Sequence, residues 1–592
     1  TGLVMSGAAG TLPVAASAII PGTRPLVQRI EVRMVPGPAA RIALSPQPQR
    51  LAAGQRMRVD AKVYTATGDT RDDRVEWRSS APNVVSVSDA GIIAAGTAGR
   101  ATVTASVGNT RATMDVTVLP SRVTRVTLTA STPQARTGDV IRFRADARDA
   151  QGRAIEGLTP VWLFAPGKGE IDAQGAFVAY EPGTYTVKAD FGTASGDVNV
   201  VVSERDVRRK ATVVGQVVRS KFPTAEVWVH PNGKVAYLGT HLGGDRFYSI
   251  DISNPANPVI VDSLVDNFRI VNDIMTTADG KTIVYTREGA DNRINGIGIA
   301  SAEDPLHPKK IADFSQGVTS GVHSAFVYTH PTHGTHVYLT NDATGALHIV
   351  DINNPAQPKE VATWRTPRKF GDAGRTLHDV DVQDGLLYGS WWNDGLIILD
   401  VGNGIKGGSP NNPQVVAQYK YNLDKLYKDV ELQGGKGFIR GTHTAWRHKN
   451  YVFIADEVFG NDAAAALFQG KPARAYGRMQ VIDVSDVNNP RSVAWYEPEY
   501  GGVHNVWVAG DTLYMGAYNA GFRAFDISGE LRGDLKAQGR EIAHVNTAHE
   551  SGFVPNVAMT WGVVVKNNLA FINDFNSGLW IVRLEPRTQV VP

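Results

Sequence analysis

Four histidines recur at one position of a repeated pattern: "VHSAFV" (322–327), "LHDVDV" (377–382), "THTAWR" (442–447) and "VHNVWV" (503–508). Each copy sets an imidazole, from His323, His378, His443 or His504, just ahead of an alternating apolar stretch of strand character. Asp379 and Asn505 follow directly in two copies, and "VNDIMT" offers Asn272 and Asp273 at the matching place. Several imidazoles converging with a carboxylate form a donor set for a transition metal. The competing expectation is plainer: each ring hydrogen-bonds to the backbone of a neighbouring repeat and locks repeat to repeat. A transition metal, or Ca2+, at these four positions is the cofactor to test for, and the chain otherwise calls for none. "YTHPTHGTH" (328–336) adds His330, His333 and His336 in a turn, where histidines are usually solvated.

What must position these side chains is a set of short strands. "FYSIDISNPANP" (247–258), "LHIVDINNPAQP" (347–358), "LIILDVGNG" (396–404), "MQVIDVSDVNNP" (479–490) and "FRAFDISGE" (522–530) repeat one phrase. Their period of roughly 40 to 55 residues is that of propeller blades. The phrase is a strand with a stop: the Asp carboxylate can accept from a backbone N–H two residues on, and Pro lacks the donor that would continue a ladder. A degenerate copy, "NGIGIASAEDPLHP" (295–308), lacks the Asp, and the last, "LWIVRLEP" (579–586), has Arg583 there.

Counting strand quartets predicts seven blades, at 221–264, 272–314, 322–366, 376–419, 442–497, 503–545 and 556–586. The seventh shows three strands, and "KATVVGQVVRS" (210–220) is expected to supply the fourth, which closes the ring and removes a free sheet edge. The D-[IV]-[SN]-N-P phrase resembles the LVIVD-repeat family. The resemblance implies a β-propeller of exported or surface proteins and little about activity.

The front of the chain is also β. Residues 38–120 carry "RMRVDAKVYT", "VVSVSDAGIIAAG" and "ATVTASVG", strands whose alternation argues an antiparallel sandwich with Trp77 between its sheets. The series Trp77, Ser79, Ser80, Val85, Val87, Gly91, Gly99, Ala101, Val103, Thr104, Ala105 resembles the bacterial Ig-like group 2 domain. Residues 121–203 repeat the plan with Trp162 for Trp77 but without the Ser-Ser pair. Domains of this family are typically extracytoplasmic spacers and adhesion modules, so the resemblance implies export and a spacing or binding role. The fold class is therefore all-β: two Ig-like sandwiches, then a seven-bladed propeller over 204–592.

Composition narrows the function classes. A formal net charge of +2 on 592 residues gives no electrostatic footprint for nucleic acid. Cysteine is absent, which removes disulfides, thiolate metal sites and cysteine nucleophiles. No apolar run is long enough to span a membrane. Thr1 as the first residue suggests a chain from which an export signal has been removed; with the export that the Ig-like resemblance implies, the expected place is the periplasm or the cell surface. Residues 1–37 begin small and apolar without a helical or strand period, and are expected to be extended and docked on a partner.

Signatures of a nucleophile elbow, P-loop, zincin or EF-hand are missing from the sequence. "YNLDKLYKDVELQ" (421–433) and the Ala-rich "EVFGNDAAAALFQGKPARAYGR" (457–478) read as insertions, each with a short helix, that offer contact surfaces. The first reading is a non-catalytic extracytoplasmic scaffold or accessory subunit. It binds protein partners, a membrane-embedded complex among the candidates, through 1–37, 421–433 and 457–478. The alternatives are a cell-surface adhesin, or a metal-dependent enzyme with its site at the histidine-lined mouth.

Overall fold

The computed structural model describes residues 10–18, 26–219, 221–366, 376–427, 440–460, 466 and 469–587. Strands dominate, and the one helix wholly within the described residues is Leu423–Leu426. The chain divides into two compact units, one of Thr1–Met34, Val207–Ser528 and Glu541–Pro592, the other of Val35–Asp206 and Gly529–Arg540.

The second unit holds two sandwiches. In the first, the strands Arg50–Ala52, Thr110–Leu119, Gly99–Val107 and Glu76–Ser79 form one sheet in that order, and Arg56–Arg58, Ile92–Ala95 and Val85–Val87 another. Alternation along Gly99–Val107 sends Ala101, Val103 and Ala105 inward against Val85, Ile93 and Val116. Trp77 does not fill the middle. It is half-buried at the edge of this aliphatic core, because small and branched side chains already occupy the centre. Gly91, at φ +73°, lies under the indole, and a Cβ there would sit 3.1 Å from Trp77 Cζ2.

The second sandwich repeats that detail. Gly175 has φ +80°, and its Cβ would fall 2.7 Å from Trp162 Cζ2. Its core adds a group of aromatic rings, Phe143, Phe177, Tyr185 and Phe191, to aliphatic side chains such as Ile141 and Val187. Residues 529–540, which the repeat count assigns to the sixth blade, belong to this unit. Their attachment is specific: buried Arg540 donates through Nη2 to Gly138 O at 2.7 Å, Thr137 Oγ1 donates to Gln538 O at 2.9 Å, and Arg532 pairs with Asp172 at 2.7 Å.

The first unit is a ring of seven sheets. Six begin with an innermost strand at Thr224–Val229, Ile274–Thr276, Ala325–His330, Asp379–Gln383, Arg440–His448 and Val506–Ala509, each followed outward by antiparallel neighbours in chain order. The seventh runs outward from Thr560–Lys566 through Leu569–Asp574 and Gly578–Leu584 to Ala211–Val218. This last pairing joins two distant parts of the chain, with Ala211 opposite Leu584 and Val218 opposite Gly578. Every innermost strand neighbours the next, and Thr560–Lys566 neighbours Thr224–Val229, so the cycle closes. Sheets stack through apolar faces, for example Val284, Ile297 and Ile299 against Val327, Val337 and Val350.

The repeated phrase works locally as its chemistry predicts. Asp251 accepts from Ser253 N at 2.8 Å, Asp351 from Asn353 N at 2.7 Å, Asp483 from Ser485 N at 2.9 Å and Asp526 from Ser528 N at 2.9 Å. Asp400 is fully buried and accepts four backbone N–H groups, from Gly402, Gly404, Lys406 and Gly408, at 2.7 to 3.1 Å. Carboxylates satisfied in this way end the strand and start the turn.

Two expected features differ. The N-terminal segment contains a hairpin, Gly10–Ala18 against Leu26–Met34, where the composition suggested no strand. The helix expected within 421–433 is one turn. Its Leu423 and the following Tyr427 are buried against Val458, and the Tyr427 hydroxyl donates to Asp456 at 2.5 Å. Residues 428–433, and the Ala-rich core of 457–478 apart from Ala466, lie outside the described residues.

Candidate functional site

Residues from all seven innermost strands line one central cavity of ≈ 100 Å³. Reading each strand outward from its start gives layers. The first is Asn272, His323, His378, His443, His504 and Trp561; the next holds Glu226, Asp273, Asp379, Thr444 and Asn505; beyond it Val227, Ile274, Val380, Ala445, Val506 and Val563 form an apolar collar. The residues just past the second strands reach the same mouth, since a hairpin brings the end of one strand beside the start of the other. They include His241, Glu288, Asp342, Trp392 and Tyr518, and Glu457 near the end of the strand Tyr451–Phe459 reaches it as well.

The structure brings the four predicted histidines together as an arc. Ring centroids are 4.9 Å apart for His323 and His378, 4.0 Å for His378 and His443, and 4.2 Å for His443 and His504. Trp392 abuts His378 at 4.6 Å, and Trp561 stacks on His504 at 4.9 Å. His443 owes its direction to a β-bulge, since the register slips between Thr442 and Thr444 and leaves it unopposed.

Backbone of the neighbouring sheet meets two of the four, His378 and His504, the latter at Trp561. His378 Nδ1 donates to the His443 carbonyl at 3.1 Å, across to the next sheet. The other three face carboxylates: His323 Nδ1 bonds Glu288 at 2.7 Å, His443 Nε2 stands 4.0 Å from Glu457, and His504 Nδ1 stands 3.5 Å from Glu226. Nδ1 of His443 and of His504 are buried without a hydrogen-bond partner.

Charge is distributed unevenly over this mouth. Desolvation opposes a proton on His323, but the Glu288 carboxylate outweighs it and lifts the imidazole to about 10. Glu288 is held below its usual value by the same pair, against its own desolvation. Burial, with neighbouring imidazoles adding to it, pushes His378, His443 and His504 well down, so these three rings are neutral. Burial drives the carboxyl groups the other way. Asp273 and Glu457 reach about 7 and Asp379 about 6, while Glu226 is raised by desolvation and then by Asp273 and Asp379.

These acids are positioned by hydrogen bonds between sheets. Asp273 accepts from Ala325 N at 2.9 Å, Asp379 from Thr444 Oγ1 at 2.8 Å, and Glu226 from Asn505 Nδ2 at 2.9 Å. Glu226 reaches past the seventh sheet because Gly562 leaves room; a Cβ there would lie 1.7 Å from Glu226 Oε2. Glu457 accepts from the Tyr518 hydroxyl through Oε1. Among the described residues, one trio offers donor atoms within 4.8 Å of one another: His378, His443 and Glu457.

Sequence spacing found the histidines but missed Glu226, Glu288, Glu457, His241 and Tyr518. A partial signal existed: His241 and Glu288 stand directly after the second strand of a blade and Tyr518 two residues after it, whereas Glu457 lies near the end of the longer strand Tyr451–Phe459. The His330–His336 turn is a different environment. His330 Nε2 lies 3.2 Å from Gly402 O and its Nδ1 accepts from Thr332 N, so its ring is used up by backbone.

Comparison with known proteins agrees with the architecture. Residues 38–118 match the bacterial Ig-like domain (group 2), and residues 232–266, 334–366 and 558–582 match the LVIVD repeat. The chain thus carries both elements. No curated protein matches it. Among solved structures, the computationally designed protein Ika8 is similar at a TM-score of 0.38 and 8% identity, covering 63% of this chain and 99% of its own. That likeness is too slight to carry an argument.

Proposed function

We propose that the protein is an exported, non-catalytic interaction module that binds protein partners outside the cytoplasm. The observation that carries this reading is the pairing, in one chain, of a bacterial Ig-like group 2 domain with LVIVD repeats, both characteristic of surface or secreted proteins. A closed ring of sheets buries its edges and offers broad faces, a form suited to presenting surfaces. Partner contact falls to the N-terminal segment 1–37 and the excursion 457–478; residues 421–427 pack into the ring itself.

Affinity capture of the full chain from gently solubilised source cells, after mild cross-linking, tests this. One protein recovered at fixed stoichiometry, and lost on deletion of residues 1–37, is the expected result. A chain that elutes free and monomeric under every extraction overturns it, as does confinement to the cytoplasm in cell fractionation. Capture of polysaccharide in place of protein would make it an adhesin.

A further inference from the structure

We propose that His378, His443 and Glu457 hold a transition-metal ion at the mouth of the channel, with His504 beside them. Each donor is already prepared. His378 gives its Nδ1 proton to the His443 carbonyl at 3.1 Å, which fixes the tautomer and leaves Nε2 with its lone pair. Glu457 is anchored through Oε1 by the Tyr518 hydroxyl, so Oε2 is the free oxygen, 4.0 Å from His443 Nε2. That gap is too long for a hydrogen bond, and it is the kind of space an ion bridges.

The second observation is an unmet polar atom. His443 is 2% exposed, yet its Nδ1 has no hydrogen-bond partner. Burying that atom unpaired costs stability; ligation through Nδ1 would offset the cost directly, whereas ligation through Nε2 would leave Nδ1 as a buried N–H without an acceptor. Donors around a four-coordinate ion with bonds of about 2.1 Å lie about 3.4 Å apart, so side chains now within 4.8 Å need to close by up to about 1.4 Å.

Two imidazoles and one carboxylate select zinc or a first-row metal such as Fe(II), Co(II) or Ni(II). Ca2+ is disfavoured, since it takes oxygen donors. His323 stands apart from this set because its Nδ1 is committed to Glu288 at 2.7 Å. The remaining coordination positions would be filled by water or a small anionic or carbonyl ligand. This proposal stands independently of the interaction reading: a chain that binds metal but no partner keeps one and loses the other.

The test uses the tag-free full chain, stripped by chelator and dialysed against Zn(II) or Co(II). One equivalent is expected, and Co(II) should give visible bands of a low-coordinate site. His378→Asn and Glu457→Gln should each weaken binding at least tenfold, with the apo melting temperature close to that of the parent. Tyr518→Phe frees Glu457 to rotate and should weaken binding about tenfold; it also serves if a ligand variant fails to fold. Replacing His330 and His333 by Ala should leave the stoichiometry at one. No bound metal overturns the proposal, as does an equivalent that survives His378→Asn and Tyr518→Phe or disappears with the His330/His333 pair.

Discussion

The ring contains two populations of acidic residues that behave in opposite ways. At the turns, Asp251 is lowered by the Ser253 N–H, while against their own burial Asp400 is held below the usual range by four backbone N–H groups and Asp483 by the Ser485 N–H and hydroxyl and by Arg491. In the channel, Asp273, Asp379, Asp381 and Glu457 are raised to between about 6 and about 7 by burial. The residue type is the same. The difference is whether the charge meets several oriented backbone dipoles, or meets side chains that are themselves acidic and desolvated. The turn set holds the fold; the channel set holds protons and leaves donor atoms unmet, which is the condition for binding something.

The contrast can be broken most severely at Asp400. Asp400→Ala strands four backbone donors in a buried turn, and denaturant unfolding at pH 7 should show a loss of about 3 kcal/mol. A loss below half of that would mean the Gly-rich turn holds itself. Next comes Glu288→Gln, which leaves a buried imidazolium on His323 without its counter-charge and should cost about 2 kcal/mol by the same measurement. Its second readout is the His323 imidazole resonance, expected to titrate well below about 10 in the variant.

A smaller effect concerns pH. Asp381 accepts from Arg447 N and Gln383 Nε2 at 2.9 Å through Oδ2, while Oδ1 is buried and unpaired. Its folded value of about 7 lies above the value of about 4 for an unfolded Asp. The stability it supplies is complete below about pH 4, declines between 4 and 7, and is absent above about pH 7. Asp381→Asn carries no titrating proton and keeps an acceptor for both donors. It should be more stable than the parent by about 1 kcal/mol at pH 8 and near parity at pH 5. Melting curves at the two pH values decide it, and a stability difference that does not change with pH would refute the assignment.

The smallest change is expected in the other histidine cluster. His330→Ala removes one contact to Gly402 O and a capped turn, and should shift stability by about 0.5 kcal/mol or less. An effect matching that of Glu288→Gln would erase the distinction between the two histidine environments.

Much of the ring was legible along the chain because its signals are local. A strand that alternates or runs apolar, an Asp whose carboxylate caps the next turn, and a Pro that ends a ladder each act within a few residues, so their recurrence marks the sheets. His323, His378, His443 and His504 were legible for the same reason, since they hold one place relative to a strand start. The docking of 529–540 onto the second sandwich was not, because it depends on partners about 400 residues away, and the N-terminal hairpin was not, because small apolar residues such as those of 10–18 give no polar–apolar alternation to read.

The sequence alone determined where strands begin, turn and stop, since those choices rest on backbone hydrogen bonding at short range. Tertiary structure decided what the side chains at the strand starts would meet. Strand pairing within the fifth sheet puts Glu457 beside His443, stacking of the second and third sheets sets Glu288 against His323, and closure of the ring brings Glu226 over Gly562. Those meetings, across hundreds of residues in some cases, are what turn a row of similar motifs into one desolvated cluster with donor atoms to spare.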